Sequence, residues 1–129
     1  MNFKTSNHEK HYILWNEIIQ KLQDFKDSGG LYVIEGTIGT LKKDICKNHP
    51  SLDESSYCYA CEESDRIQFE KKSIADSCIY CPIDWGYDIK VKPRHCWNSE
   101  SIYRRLLQER YIDDAIQLAT KIKNAEWRI

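Results

Sequence analysis

Cys58 and Cys61, then Cys78 and Cys81, form two Cys-x-x-Cys pairs with 16 residues between them, and they are the residues of this 129-residue chain best suited to chemistry. A Cys-x-x-Cys turn sets two thiolates on one side of an ion, and a second turn completes a tetrahedral shell with sulfur at about 2.3 Å from Zn²⁺. The four thiols are therefore assigned as ligands of one structural zinc. Four sulfurs leave no open position for water, so such a site builds structure and activates no nucleophile. The competing reading is a pair of redox or idle dithiols. A redox dithiol normally sits in a βαβ context, and neither pair does.

Two more cysteines complicate the count. Cys46 precedes His49 at ligand spacing, and His95 directly precedes Cys96. These four are alternates, either for a second ion or, for Cys96, as a replacement within the first shell. Adjacent His95 and Cys96 fit poorly on one ion, and free cysteine often serves as a small buried hydrophobe. A His-Asn-His nuclease core would need a histidine near the pairs, yet none lies between Cys61 and Cys78. Phosphate-cradling and nucleophile-elbow motifs are absent from the sequence. Glu62, Glu63, Asp65, Asp113 and Asp114 read as solvated charge runs. His8 and His11 read as a surface pair, with metal binding the weaker alternative. No catalytic residue is assigned.

These thiols need elements to hold them. Ser6 and Glu9 form a Ser-x-x-Glu capping box at the start of a helix over about 6–28. Tyr12, Trp15, Ile18, Ile19, Leu22 and Phe25 give it one apolar stripe, and Gly29-Gly30 ends it. Leu31 to Ile38 is β-rich and predicts a strand. "TLKKDICK" follows as a short helical turn. Residues 50–100 are polar, proline-bearing and weakly periodic, with "RIQF" as one arm of a small hairpin. A metal would supply what that segment's core cannot. Helical periodicity returns over about 100–125, with Ile102 and Leu106 on one face, then Ile112, Ala115, Ile116, Ala119 and Ile122. Trp127 is placed to pin the terminus to the core. The expected fold class is α+β: one domain over 1–129, with flanking helices around a zinc-knuckle or zinc-ribbon-like centre at about 46–97.

The composition excludes some classes. Net charge is −1, so no global positive excess draws the chain to nucleic acid or acidic lipid. No stretch has the length of a membrane span, and "MNFKTSNHEKHYILW" has no signal-peptide core. Cytoplasmic placement, with reduced thiols, follows as the expectation. Tyrosines and lysines around the thiols allow nucleic-acid binding, but interspersed acids dilute any basic patch.

"CYACE", "CPIDWG", "SIY" and a last helix "DAIQLATKIKNAEW", in that order, resemble a family of small zinc-knuckle proteins of tailed bacteriophages and prophages. The resemblance implies that Cys58, Cys61, Cys78 and Cys81 are the metal cysteines, with Cys96 a recurrent extra one. It implies a bacterial host cytoplasm and supplies no reaction, since members of the family have no assigned one. From that context comes the expected function: a zinc-stabilised accessory protein that binds a host or defence-system protein, an anti-defence role included. A nucleic-acid-binding zinc-ribbon regulator of phage genes is the alternative. Trp85, Tyr87 and Trp97 are the expected partner-binding anchors, with core packing the competing role for Trp85.

Overall fold

The computed structural model describes residues 2–53, 58–74, 80–83, 85 and 101–128. Among them the architecture is five helices: α1 Ser6–Asp27, α2 Thr37–Asn48, α3 Tyr59–Lys71, α4 Ile102–Gln108 and α5 Ile112–Lys123. Extended pairing among the described residues is confined to bridges, an antiparallel one between Tyr32 and Tyr111 and one at Ser101. The expected α+β, zinc-ribbon-like fold is therefore wrong. The described residues are helical, without a sheet, and hold no group of three His, Cys, Asp or Glu close enough to bind an ion.

The N-terminal helix forms where its stripe predicts, but its cap is one residue earlier. Thr5, in extended backbone, accepts the His8 N–H through its hydroxyl at 3.1 Å, so Thr5 and not Ser6 is the N-cap. At the other end, Gly29 adopts φ +97°, and the Gly29 and Gly30 N–H groups bond back to Lys26 and Phe25. That is the left-handed stop expected from Gly29-Gly30. Leu14, Trp15, Ile18 and Leu22 are buried along one face, and each such side chain contributes roughly 1.5–3 kcal/mol of apolar burial. α1 packs against α5, α2 and α3, and α4 packs against α5, so α1 is the central element.

The Leu31–Ile38 strand does not materialise. Only Leu31–Val33 runs alongside the α4–α5 turn, through Val33 N–H to the Arg110 carbonyl and Ile112 N–H to the Leu31 carbonyl. Gly36, at φ +87°, then turns the chain into α2. The β-rich composition there belongs to a linker exposed except at Val33, and not to a sheet. α2 is three turns long where only a short turn was expected. It buries Ile38, Ile45 and Cys46, and Lys42 among rings.

The hairpin arm at "RIQF" is also wrong, because those residues lie in α3. Tyr59 to Lys71 contains no glycine or proline, and Arg66 bridges Glu63 and Glu70 at i,i+3 and i,i+4. Such pairs support a helix that has little apolar period of its own. The helix ends on Lys72 at φ +51°, with Lys72 N–H bonded to Phe69 O and Ser73 N–H to Gln68 O. This is the paired closing pattern usually supplied by glycine, here carried by a lysine.

The C-terminal helices follow the sequence closely. Leu106 is buried on α4, and Ile112, Ala115, Ala119 and Ile122 on α5. Trp127 is 1% exposed and stacks on His8 at 4.8 Å between ring centroids.

Candidate functional site

Cys58 is the N-cap residue of α3, and Cys61 lies in its first turn. One helical turn therefore brings the two sulfurs together, and their side chains hydrogen bond. That bond, with burial, raises the Cys58 thiol pKa well above its ordinary range. Cys81 arrives from the other side of the sequence and is close enough to feel the Cys58 charge. Its sulfur accepts N–H bonds from Ile83 and, at 3.4 Å, from the Trp85 indole. Burial outweighs those bonds and raises the Cys81 pKa too.

The segment carrying Cys81 is pinned at both ends. Arg128 N–H donates to the Pro82 carbonyl at 2.9 Å, and Ile102 N–H donates to the Trp85 carbonyl at 2.6 Å. Ile83 and Trp85 are buried, and the Trp85 ring meets Tyr103 edge-on at 5.7 Å. Trp85 is thus a core residue, 3% exposed, and not an exposed anchor. Tyr87, Trp97, Cys78, His95 and Cys96 lie outside the described residues.

The described thiols bear on the zinc assignment in a specific way. The Cys58 and Cys61 side chains hydrogen bond to one another, and N–H groups of Ile83 and Trp85 point at the Cys81 sulfur. Among the described residues no three His, Cys, Asp or Glu are tight enough to hold an ion. Cys58, Cys61 and Cys81 are the three thiols of the zinc reading that are described, and by themselves they form no ion site.

The alternates Cys46 and His49 take other roles. Cys46 is 1% exposed and pairs its sulfur with the Tyr59 hydroxyl at 3.6 Å. The Tyr59 hydroxyl also accepts the Asp53 N–H at 3.3 Å. Burial raises the pKa of both groups, so both stay protonated at neutral pH. His49 is the C-cap residue of α2, and its Nδ1 accepts the Ser51 N–H at 3.1 Å. A groove of about 460 Å³ runs past it, lined by Glu17, Lys21, Leu41 and Asp44 among others.

Three buried polar groups were not legible as such. Glu63, read as part of a solvated run, is 1% exposed and is held by the Arg66 guanidinium at 2.6–2.7 Å. Lys42 donates to the Tyr103 hydroxyl at 3.1 Å, with its ammonium over the Tyr103 ring at 4.6 Å and the Trp15 ring at 5.8 Å. His11, read as half of a surface pair, lies 2% exposed between α1 and α5. A carbonyl only accepts, so His11 Nε2 carries the proton it gives to Ile122 O at 2.9 Å. Burial lowers its pKa to about 4.

Among the described residues, large apolar side chains stand in solvent at two places. Phe69 and Ile74, at 85% and 105% exposure, lie on α3 and just beyond it. A shallow groove formed by Asp65, Gln68, Phe69, Lys72 and Ser73 accompanies them. The second place gathers Phe25, Leu31, Tyr32, Ile34 and Tyr111 around the Tyr32–Tyr111 bridge. No helix among the described residues is long and apolar enough to cross a membrane. The chain matches no protein-family model, no curated protein and no solved structure.

Proposed function

We propose that this chain is a phage-encoded accessory protein that acts by binding a host or defence-system protein, with an anti-defence role as its narrowest form. The observation that carries the binding role is the exposure of Phe69, at 85%, on the helix that leaves Cys58 and Cys61. Removing a phenylalanine ring of this exposure from water is favourable for any partner with an apolar recess, and aromatic anchors of this kind dominate binding energies. Ile74 extends the same surface. The phage origin rests on the sequence resemblance, of which "CYACE" and "CPIDWG" are the specific parts.

Structural zinc belongs to the same reading, held by Cys58, Cys61, Cys78 and Cys81. Bound there, the ion would add folding free energy and offer no position for water. The thiols orient the start of α3 and, through it, Phe69. The nucleic-acid alternative draws no support from Arg66, whose charge is met by Glu63 and Glu70.

Affinity capture from phage-infected bacteria, with wild type and Phe69→Asp side by side, tests the binding role. A specific host protein retained by wild type and lost with Phe69→Asp supports it. Equal retention by both, or recovery only of nucleic acid released steeply by salt, removes it.

A further inference from the structure

Cys58 and Cys61 face one another across the first turn of α3. Cys58 is the N-cap residue, in extended backbone, and Cys61 is the third residue of the helix. An N-cap side chain folds over the first turn toward the third helical residue, the path a serine takes when it caps. Glu62 N–H donates to the Cys58 carbonyl at 3.1 Å, which closes that turn. Helical rise and radius then put the two Cα atoms about 5 Å apart, inside the range of roughly 4.4–6.8 Å that a disulfide spans. The two side chains already hydrogen bond. Both residues are half-buried and reachable from solvent, whereas Cys46 is buried.

We propose that Cys58 and Cys61 are a dithiol–disulfide couple, oxidised by low-molecular-weight disulfides and reduced again by the corresponding thiols. This goes beyond the target-binding role, uses only this pair of sulfurs, and holds with or without a bound ion. One cysteine loses its proton, and its sulfur attacks the small disulfide, forming a mixed disulfide and expelling one thiolate. The other cysteine, its own proton released, attacks the protein sulfur of that mixed disulfide and expels the second thiolate. The two protons go to the two thiolates. The pair thus gives up two electrons and two protons, and the small disulfide becomes two thiols.

A βαβ unit suits a redox dithiol because it sets the pair at the start of a helix, where the dipole favours negative charge on sulfur. α3 provides such a start without a sheet. A structural ion needs four ligands, while a disulfide needs two sulfurs. Among the described residues no third His, Cys, Asp or Glu is close enough to make the pair an ion site. Cys81 is engaged elsewhere, its sulfur accepting N–H bonds from Ile83 and Trp85. Closing the disulfide removes two of the four sulfurs of the zinc reading, so disulfide and metal exclude one another on this pair.

Reaction of the reduced native chain with excess oxidised glutathione, quenched by alkylation and mapped by peptide mass, tests the couple. The expected first product is a disulfide between Cys58 and Cys61, reversed by excess reduced glutathione, with Cys46 still a thiol. A first disulfide that joins either residue to any other cysteine overturns the proposal. So does a chain in which both stay reduced, or in which each carries glutathione separately. These readouts need no variant to fold. Repeating the reaction with added Zn²⁺ separates this couple from the zinc reading. A Cys58–Cys61 disulfide that forms equally fast with and without the ion supports the couple and removes zinc from these sulfurs. One slowed by about tenfold or more supports both.

Discussion

With His11 neutral and bonded to the Ile122 carbonyl, stability depends on pH in one direction. The folded chain holds the His11 pKa near 4, while the unfolded chain takes its proton near 6.5. Between those values the unfolded state binds more protons, so stability falls as pH drops from about 6.5 to about 4 and is flat outside that window for this group. The full shift corresponds to about 3 kcal/mol. Chemical denaturation at several pH values should show this loss in wild type and a flatter profile in His11→Asn, which does not titrate. The ring faces Trp15 and Trp127, and the nearest positive groups in play are His8 and Lys42. A second residue-scale test concerns Glu63. Arg66→Ala leaves that buried carboxylate without its main partner and should lower stability, the half-exposed arginine moderating the loss. Glu63→Gln with Arg66→Ala together should recover part of the loss, measured by urea denaturation.

At the scale of elements, helix ends separate the account from its rivals. Thr5→Ala should lower stability by about 1 kcal/mol, and Ser6→Ala should leave it within a few tenths, because only Thr5 holds the His8 N–H. Lys72→Gly should raise stability by about 1 kcal/mol by removing the cost of a left-handed lysine at φ +51°. α1 and α5 were legible because their apolar residues repeat at helical spacing and their ends carry glycine and opposite charges. α3 was not. Its buried face is Tyr59, Ala60, Glu63 and Ser64, so polar residues occupy positions that a pattern of apolar spacing depends on. The Leu31–Ile38 stretch failed for the converse reason. Its β-branched residues mark an extended linker and then the first turn of α2, and pairing partners for a sheet cannot be read from composition.

For the whole molecule, the thiol centre was partly legible and partly not. Spacing named the cysteines, and the fold joins Cys58 to Cys61 at the start of α3 by a side-chain hydrogen bond. Spacing could not show that α3 would start at the first pair, that Trp85 would be buried, or that the C-terminal strand of chain near Arg128 would hold Pro82. Those depend on contacts between residues far apart in sequence. The Trp127 ring, closing over His8 and His11, links the last residues to the first helix. Trp127→Ala should therefore destabilise the entire fold by about 3–5 kcal/mol in a single cooperative transition. Loss confined to the terminus would show that this closing contact is local.

Metal analysis of the reductively purified chain bears most directly on the claim that sulfur-held zinc organises the middle of the molecule. The account predicts one Zn²⁺ per chain, removed by a strong chelator together with much of the helical signal, and bound weakly or not at all by Cys58→Ser. A metal-free protein that keeps its full helical content and cooperative unfolding would contradict it.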